Sequence, residues 1–478
     1  MKAERPWDIV VIGSGPAGQK AAIQAAKAGR RVLVIERDAR VGGACVHRGT
    51  IPSKTLRETA LTFSAFRRKS GQAMQVSMPE DVQIAGLTSR MEGVVVAHES
   101  FIADQMKRNG IEVWHGRARF VSPHTIEVTS VASESRRADA KSVIIATGSR
   151  PRDPGLVPID HENIFDSDSV LSMRYLPRSL AVLGGGVIAT EYASIFATLG
   201  VRVTMVDKGD RPLGFLDAEI VERFLDAFAE SGGRFVRNGR VESVAFDGIS
   251  TVVTTLASGE QVRTEKVLCA LGRVANYEGL GLEVAGVRVD ARGLVPVDER
   301  YRTAAPHIYA VGDVIGPPSL AATAMEQGRL AARHALGLGV HDLGAARSPI
   351  GVYAIPEIAS LGMTESEAQA QGGAIVGRSE FRELARGQIG AIENGLLKLV
   401  ADASGTHLLG VQVVGEGASE LVHIGQMAML GHLPIDTFVE CTFNFPTLAE
   451  AYRVAALDIV GRRAAASPVR TSQVRIAG

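Results

Sequence analysis

Cysteine is scarce in this 478-residue chain, and its three cysteines lie far apart, at Cys45, Cys269 and Cys441. Thiols so few and so scattered do not suit a disulfide framework or a zinc site. No metal site is therefore expected. A reducing, cytoplasmic location is the simplest interpretation of this cysteine usage.

The chain also lacks an excess of charge of either sign and any long apolar run. Its 52 basic and 52 acidic side chains cancel, which argues against nucleic acid or an anionic membrane as a partner. No apolar stretch approaches the ~18 residues of a membrane span, and the charged N-terminus leads directly into a predicted strand, with no room for a cleavable signal. Small molecules are the expected partners.

Aromatic residues make up only 5% of the chain, whereas glycine is abundant, at 52 residues. This balance is typical of a protein with many tight turns and close approaches of backbone to ligands. The length allows two to four domains, because single cores stop growing at ~250–300 residues.

A glycine-rich turn joins a predicted strand, residues 8–12, to an alanine-rich predicted helix. In its GxGxxG pattern Gly13 permits the tight turn, Gly15 lets the backbone approach a pyrophosphate, and Gly18 lets the helix pack on the strand. The next predicted strand ends in Glu36, which can accept a hydrogen bond from an adenosine ribose. These features predict a βαβ unit that binds a dinucleotide.

The same pattern recurs with Gly184, Gly186 and Ala189, and its second strand ends in Asp207. From first glycine to strand-end acid the distance is 23 residues in both copies (36 − 13 and 207 − 184), so the two units follow one plan. Alanine is tolerated at the third position because helix packing requires only a small residue there. A second dinucleotide site is therefore expected.

Residues around Asp207 bear on which nicotinamide cofactor binds. A carboxylate there favours the free 2′-hydroxyl of NAD(H), whereas a 2′-phosphate favours cations, which Lys208 and Arg211 are close enough in sequence to supply. For both cations a solvated loop charge is the alternative interpretation. The preference between NADH and NADPH stays open.

Further turns indicate the domain organisation. Strand-to-glycine turns at 147–151 and 270–276 are suited to crossings between domains. Another strand ends in Gly312 and Asp313, and the Asp313 carboxylate suits either a ribityl hydroxyl of a flavin or the cap of a helix. From about residue 349 the chain alternates strands with an amphipathic helix, which predicts an α+β domain.

The segment 41–57 contains a Gly-Gly turn, Cys45 and an Ile-Pro-Ser-Lys run that ends in Lys54. With both glycine patterns and the Gly-Asp strand end, it resembles the pyridine nucleotide-disulfide oxidoreductase family over nearly the whole chain. This resemblance implies an α/β fold with two Rossmann-like domains and a C-terminal α+β dimerisation domain, hence a homodimer or higher homo-oligomer. The implied domains are an FAD-binding domain at 1–152 and 275–346, an NAD(P)-binding domain at 153–274, the dimerisation domain at 347–463 and a mobile tail at 464–478.

The resemblance also implies which residues contact the two cofactors. Lys54 and Glu191 are expected to pair beside the reactive nitrogen of the flavin, with a surface lysine and a helix-face glutamate as the alternative. The implied FAD contacts are Gly13, Gly15, Gly18, Glu36, Gly43, Lys54, Ala146, Thr147, Gly148, Gly312 and Asp313. The implied NAD(P) contacts are Gly184, Gly186, Ala189, Glu191, Asp207, Lys208, Arg211 and Gly272.

Two catalytic residues of the disulfide reductases are missing from this chain. Thr50 stands where the second cysteine of the redox pair belongs, and a hydroxyl cannot close a disulfide with Cys45. Phe445 stands where the acid-base histidine belongs. Thr50 and the segments 165–169 and 445–453 are similar instead to the soluble, Si-specific pyridine nucleotide transhydrogenase branch, which usually has Tyr at the position of Phe445.

The resemblance therefore implies an FAD-dependent transhydrogenase that moves hydride from NADPH to NAD⁺ by a ping-pong mechanism, without a redox-active disulfide. An NAD(P)H diaphorase that reduces a quinone or another small acceptor, and a flavin-bearing redox sensor, are the alternatives. Flavin-adjacent Cys45 is interpreted as packing or tuning the flavin, although a nearby helix N-terminus could lower its pKa. His47 is interpreted as incidental, and His423 and His432 as structural.

Overall fold

The computed structural model describes residues 5–70, 84–339 and 348–466. It divides into two compact units. The larger unit comprises Met1–Lys208 and Val236–Leu343, and the smaller unit comprises Gly209–Phe235 and Gly344–Gly478. We call Gly209–Phe235 the excursion, because it interrupts the larger unit in sequence and belongs to the smaller one. The predicted boundaries did not separate the excursion from the rest of 153–274.

Within the described residues, the first part of the larger unit, up to the excursion, contains ten strands and five α-helices. In chain order they are β1 (Trp7–Ile12), α1 (Pro16–Lys27), β2 (Val32–Glu36), α2 (Gly43–His47), α3 (Thr50–Ser70), α4 (Ile84–Arg108), β3 (Glu112–His115), β4 (Arg117–Ser122), β5 (Thr125–Thr129), β6 (Ser135–Ile145), β7 (Ser149–Pro151), β8 (Ile164–Asp166), β9 (Ser179–Leu183), α5 (Val187–Thr198) and β10 (Arg202–Val206).

The chain then forms the excursion, completes the larger unit and ends in the smaller one. These elements are α6 (Ala218–Glu230), β11 (Gly233–Val236), β12 (Val241–Phe246), β13 (Val252–Leu256), β14 (Gln261–Thr264), β15 (Lys266–Cys269), β16 (Arg273–Ala275), β17 (Ile308–Ala310), α7 (Ala321–Ala335), β18 (Ile350–Val352), β19 (Ile358–Gly362), α8 (Glu365–Ala370), β20 (Ala374–Glu380), α9 (Ala385–Gly390), β21 (Leu396–Asp402), β22 (Leu408–Val414), α10 (Ala418–Leu430), α11 (Asp436–Glu440) and α12 (Glu450–Ala466).

The first sheet of the larger unit has the order β3-β2-β1-β6-β5-β4, and β17 also pairs with β6. Strands β3, β2, β1, β6 and β17 run parallel, whereas β5 and β4 are antiparallel additions. Every residue of β2 is buried, as expected of a parallel strand covered on both faces. The alanines of α1 are small enough to pack on this sheet, and Ala21, Ala22 and Ala25 have no exposed surface.

A second parallel sheet of the larger unit contains β10, β9, β15 and β8 in that order. Strands β12, β13 and β14 form a separate antiparallel sheet. The short strands β7 and β16 pair antiparallel as a two-stranded ribbon, with Ser149 opposite Ala275 and Arg273 opposite Pro151. Both predicted crossing turns, 147–151 and 270–276, contribute to this ribbon.

The smaller unit contains an antiparallel sheet in the order β18-β19-β22-β21-β20. Helix α6 begins at its N-cap Asp217, whose side chain accepts from the Glu219 backbone N–H. Helix α12 ends at Ala466, so the first residues of the predicted tail are helical, and the rest of that tail lies outside the described residues. The predicted α/β class, with parallel sheets followed by an α+β region, is confirmed. No helix within the described ranges is long and apolar enough to cross a membrane.

Candidate functional site

The first glycine turn is shaped by contacts of backbone with backbone. Gly13 has φ +104°, and a Cβ there would lie 2.4 Å from the Ala146 carbonyl oxygen; a Cβ at Gly18 would lie 2.0 Å from the Gly13 oxygen. At Gly15 a Cβ would meet nothing within 4 Å. Helix α1 begins at Pro16 without a side-chain cap. Open space in front of an uncapped helix N-terminus is suited to a pyrophosphate.

Glu36 is fixed at the tip of β2, where the sequence predicted a ribose contact. The side chain is buried, and its Oε2 accepts from the Ser14 backbone N–H at 2.9 Å and from the Ser14 hydroxyl at 2.6 Å. Oε1 accepts from the Asp38 N–H at 3.0 Å. Ser14 was not singled out from the sequence, although it lies inside the glycine pattern. Its hydroxyl also accepts from the Gly42 N–H at 3.0 Å.

The loop that follows β2 folds back over the first turn, and the loop after β6 borders it. A Cβ at Gly43 would lie 2.9 Å from the Gly15 Cα, so the predicted contact Gly43 packs against the backbone of the turn. Thr147 has a buried hydroxyl with no hydrogen-bond partner within the described residues. Gly148, with φ +68°, faces open space. A buried hydroxyl without a protein partner beside an open turn is suited to contact with a polar ligand.

Asp313 does not cap a helix, so that alternative is wrong. It lies in the first turn of a short 3₁₀ helix, Gly312–Ile315, whose N-cap is Val311. Instead, Asp313 Oδ2 accepts from the Ser149 hydroxyl at 2.6 Å. The adjacent Gly312, with φ +77°, donates its N–H to Gln327 Oε1 at 2.8 Å. No donor among the described residues reaches Asp313 Oδ1, which is therefore available to a ligand hydroxyl.

The second glycine turn repeats the first in physical detail. A Cβ at Gly184, which has φ +118°, would lie 2.6 Å from the Ala270 carbonyl oxygen, just as Gly13 meets Ala146. Helix α5 begins after Gly186, which faces open space, and it has no side-chain cap. Ala189 is fully buried, as a small packing residue should be. Gly272, the predicted contact at the return crossing, has φ +107°.

The Asp207 carboxyl group packs against the second turn, because a Cβ at Gly185 would lie 2.9 Å from the Asp207 Cγ. Lys208 is exposed. Arg211 belongs to the excursion, and its guanidinium donates to the carbonyls of Gly214 and Leu216 at 3.4 Å, within its own loop. Of the two predicted cations, Arg211 is thus already engaged.

A segment that the sequence did not indicate lies beside Asp207. The Asp207 N–H donates to the Val236 carbonyl at 3.3 Å, and the Gly239 N–H donates to the Asp207 carbonyl at 2.7 Å. This segment carries two exposed arginines, Arg237 and Arg240. No local sequence pattern indicates these arginines, because their proximity to Asp207 depends on hydrogen bonds between segments about 30 residues apart.

Lys54 and Glu191 are brought together as the family resemblance implied. The Lys54 ammonium, on α3, lies 2.5 Å from Glu191 Oε2, on α5. The Glu191 side chain is 6% exposed and that of Lys54 is 25% exposed. A largely buried ion pair between two helices, one of which starts at the second glycine turn, makes the surface-residue alternative wrong for both side chains.

Cys45 is a free thiol in the half-buried helix α2. Burial raises its pKa, and this effect outweighs a hydrogen bond with Thr50 and the charge of Lys54. The possibility of a lowered pKa is therefore wrong, and a neutral, packed thiol remains. His47 donates from Nε2 to the Val41 carbonyl at 2.8 Å, which holds the ring to the backbone.

Phe445, the residue expected in place of the acid-base histidine, is 73% exposed. The described residues contain no cluster of three or more His, Cys, Asp or Glu side chains that could hold a metal ion. What the larger unit does assemble is two glycine turns of one design, each in front of an uncapped helix, with a buried ion pair reaching one of those helices.

Comparison with known proteins agrees with this geometry. The family model for pyridine nucleotide-disulphide oxidoreductases matches residues 7–328, and the model for the dimerisation domain of that family matches residues 348–456. The chain belongs to the pyridine nucleotide-disulphide oxidoreductase family. Members of this family depend on FAD and use NAD(P)H, and the uncapped turns, the orphaned Thr147 hydroxyl and the open Asp313 Oδ1 fit such ligands. The predicted cofactors are thus confirmed.

Several members of the family are similar to this chain over almost its full length. The soluble pyridine nucleotide transhydrogenase of Mycobacterium tuberculosis strain H37Ra is 43% identical over 98% of this chain and 100% of its own length. That of Hahella chejuensis is 42% identical over 96% of this chain and 99% of its own. The predicted likeness to this branch is confirmed.

Solved structures show the same fold at lower identity. A crystal structure of LpdA from Mycobacterium tuberculosis has a TM-score of 0.88 and 30% identity, covering 94% of this chain and 98% of its own. The HOCl-induced flavoprotein disulfide reductase RclA from Escherichia coli, as a Cu(II) complex, has a TM-score of 0.85 and 27% identity, covering 95% and 99%.

Proposed function

We propose that this chain is an FAD-dependent transhydrogenase that transfers hydride from NADPH to NAD⁺ by a ping-pong mechanism. The observation that carries the proposal is that the chain has two complete dinucleotide-binding turns but only a single thiol, Cys45, where a disulfide reductase has two. Cys45 contacts Thr50, a residue that cannot form a disulfide, so electrons have no protein dithiol to enter. The names of the similar full-length relatives support the same activity.

When bound, FAD accepts hydride from one nicotinamide dinucleotide and returns it to another, so the redox chemistry belongs to the cofactor. The chain provides binding and electrostatics. Glu36 and Asp313 would hold the ribose and ribityl hydroxyls of FAD, and the turn at Gly15 would hold its pyrophosphate. Glu191 orients the Lys54 ammonium, whose positive charge would stabilise the negative charge that hydride arrival creates.

Both nicotinamides would use the turn at Gly184 and Gly186 in succession. A site that serves both cannot discriminate strongly at the adenosine 2′ position. Asp207 against the turn would accept from the free hydroxyl of NAD(H), whereas exposed Lys208 would be available to the 2′-phosphate of NADP(H).

Substitution of Lys54 tests this function. We expect Lys54→Met to slow the loss of oxidised-flavin absorbance after anaerobic mixing with NADPH by about 10²–10³-fold, the usual effect of removing one group that stabilises developing charge. Lys141→Met is the matched control, because Lys141 pairs with Asp8 at 2.7 Å on the surface and is 56% exposed.

The electron acceptor then separates the proposal from its alternatives. After reduction by NADPH, addition of NAD⁺ without oxygen is expected to restore the oxidised-flavin absorbance and produce NADH. Restoration by quinones and not by NAD⁺ would identify a diaphorase. Reduction by NADPH at rates too slow for metabolic flux would favour the redox sensor.

We also propose a cytoplasmic homodimer. Residues 348–456 of the smaller unit match a dimerisation domain, and the C-terminal part of this unit exposes large apolar side chains that water does not favour. These are Met427, Leu433, Phe445, Val454 and Leu457. Sedimentation equilibrium of the FAD-loaded protein is expected to give twice the chain mass, and a monomer at micromolar concentration would contradict this.

A further inference from the structure

A continuous chain of hydrogen bonds leads from Asp313 to Asp168 through Ser149 and Arg273, all in the larger unit. The Ser149 hydroxyl donates to Asp313 Oδ2 at 2.6 Å. The same hydroxyl oxygen accepts from Arg273 Nε at 2.9 Å. Arg273 Nη1 then donates to Asp168 Oδ1 at 3.1 Å and to the Ser167 hydroxyl at 3.2 Å. We call these four residues, Asp313, Ser149, Arg273 and Asp168, the relay.

The relay has a fixed direction. A serine hydroxyl has one proton, and because Arg273 already donates to the Ser149 oxygen, that proton is directed to Asp313. Arg273 Nη2 also donates to the Ser149 carbonyl at 2.9 Å, so both the side chain and the backbone of Ser149 are held by one guanidinium. Asp313 Oδ2 is thereby occupied, and Oδ1 is the oxygen left to accept from a ligand.

Arg273 is suited to this position because its guanidinium group is planar and carries several N–H donors. Its three nitrogens engage Ser149, Ser167 and Asp168 together, which an ammonium could not do in the same geometry. The side chains of Arg273 and Asp168 are each 22% exposed, so their ion pair is partly shielded from water. Such a pair is worth more than one on the open surface.

The relay joins parts of the chain that are predicted to bind different cofactors. Asp313 follows β17 in the predicted FAD-binding domain, whereas Asp168 follows β8 in the predicted NAD(P)-binding domain. Ser149 and Arg273 lie on β7 and β16, the ribbon formed by the two crossing turns. The relay therefore spans the ribbon where the chain passes between the two predicted domains.

A buried phenol shows that the Asp168 end also approaches α5. Tyr192 is 3% exposed and its hydroxyl has no partner within the described residues. Burial raises its pKa, the charges of Glu191 and Asp168 raise it further, and the charge of Arg273 opposes them. Since Glu191 pairs with Lys54, the Asp168 end of the relay lies in the same neighbourhood as the ion pair proposed to act at the flavin.

We propose that Arg273 and Ser149 are positioning residues for hydride transfer. They hold Asp313, which would contact FAD, at a fixed distance from the Asp168 segment and α5, which would contact the nicotinamide dinucleotide. This inference rests on the proposed function. Neither residue is assigned a contact with the reacting atoms. Their contribution is to fix the distance between the two bound dinucleotides. A displacement of the reacting groups by about 1 Å can slow a reaction by roughly 10²-fold.

Three variants and one matched control test the relay: Arg273→Met, Ser149→Ala, the double variant, and Arg150→Met. Arg150 follows Ser149 on the same ribbon, but its guanidinium donates to the Ala275 carbonyl, Asn276 and Glu278 and, among the described residues, to no relay residue. If loss of a ribbon guanidinium merely loosens the structure, Arg150→Met and Arg273→Met will behave alike. Ser149→Ala removes a single oxygen, and it keeps the test available if Arg273→Met fails to fold.

The first readout does not depend on turnover. Each apoprotein is titrated with FAD by flavin fluorescence, and the visible circular dichroism of the bound flavin is recorded. We expect Ser149→Ala to bind FAD about 10-fold more weakly, because Asp313 loses the hydrogen bond that orients it, and to change the flavin dichroism. Arg150→Met is expected to match the unchanged protein in both measurements.

The second readout separates positioning from binding. In stopped-flow reduction by NADPH, we expect Arg273→Met to lower the limiting rate about 30- to 100-fold while the half-saturating NADPH concentration changes less than about 3-fold. Because the relay residues act in series, the limiting rate of the double variant is expected to lie within about 2-fold of the rate of Arg273→Met.

Equal behaviour of Arg273→Met and Arg150→Met, or multiplicative effects in the double variant, would overturn the relay. Failure of the proposed function looks different. If the unchanged protein does not pass hydride from NADPH to NAD⁺, that function is lost, while FAD affinity and flavin dichroism still decide whether Ser149 positions Asp313.

Discussion

Substitution of Lys398 by methionine is expected to destabilise the smaller unit severely. Lys398 lies on β21 with only 2% of its side chain exposed, and it contacts three carboxylates: Asp217 at 2.9 Å, Glu219 at 2.9 Å and Glu365 at 2.6 Å. Arg378 pairs with the last two at 2.9 and 2.8 Å. Two cations therefore lie among three carboxylates, which leaves one net negative charge. Lys398 and Asp217 are buried, whereas Arg378, Glu219 and Glu365 are 30–32% exposed.

The size of the effect follows from these charges. Without the lysine, one cation faces three carboxylates, and buried Asp217 loses the ammonium that contacts both of its oxygens. Removing one member of a buried ion pair costs about 3–5 kcal/mol, mainly because the remaining charge is left uncompensated. In a unit of roughly 150–250 residues, each kcal/mol lowers the thermal midpoint by about 2–4 °C. We expect the smaller unit to melt roughly 6–20 °C lower.

Differential scanning calorimetry with Arg386→Met as control measures this. Arg386 pairs with Glu416 at 3.5 Å, also within the smaller unit, but the two side chains are 36% and 62% exposed. Loss of such a surface pair changes stability by less than about 1 kcal/mol. A Lys398→Met midpoint within the error of the Arg386→Met midpoint would refute the reasoning.

The pH dependence of the stability difference distinguishes loss of charge from a packing defect, which would not depend on pH. Burial alone would raise the pKa of Glu219, but hydrogen bonds from Arg378 and Lys398 outweigh it and lower that pKa. A carboxyl group whose folded pKa is lowered stabilises the protein above its unfolded value and loses that contribution as the pH falls. In Lys398→Met the crowded carboxylates instead favour protonation on folding. The stability gap between variant and unchanged protein is therefore expected to narrow as the pH falls below 4.5, the ordinary value for a glutamate, toward the lowered folded pKa of Glu219.

Four further substitutions test the larger unit. Gly18→Ala is expected to give protein that is purified without FAD and lacks flavin absorbance, because the new Cβ would lie 2.0 Å from the Gly13 oxygen. The reverse change in the second turn, Ala189→Gly, is expected to retain FAD and to lower the free energy of unfolding in urea by about 1 kcal/mol. Cys45→Ser is expected to keep NADPH-to-NAD⁺ transfer within about 2-fold by steady-state assay, since burial keeps this thiol neutral. Tyr192→Phe is expected to leave unfolding free energy unchanged or raise it by about 1 kcal/mol, because the lost hydroxyl has no partner among the described residues; a loss above 2 kcal/mol would contradict this.

The two glycine turns could be predicted from sequence because their determinants are local. The strand, turn and helix of each copy lie within about 30 residues, and the glycines are required by contacts inside that stretch, such as Gly18 against Gly13. The same applies to the strand ends at Glu36 and Asp207. The Lys54–Glu191 pair is different, since its members are 137 residues apart and only the family resemblance connected them.

The relay and the buried charge cluster could not be predicted because they depend on pairings of distant segments. Ser149 and Arg273 are 124 residues apart and meet only when β7 pairs with β16. Lys398, within the run Leu-Leu-Lys-Leu-Val, has the pattern of a polar residue that faces water. It is buried because the excursion supplies Asp217, and no feature of β21 itself indicates that partner.

The excursion also has a consequence for how the protein is made on the ribosome. Helix α6 carries five buried apolar residues, Ile220, Val221, Phe224, Leu225 and Phe228, yet the strand that contains Lys398 emerges 181 residues after Asp217. At about 5–20 residues per second, that interval lasts roughly 10–35 s. During it the segment that becomes α6 has been made, but β22, which it contacts in the smaller unit, has not. We therefore expect nascent chains that end before β21 to leave this apolar segment without its partners in the smaller unit.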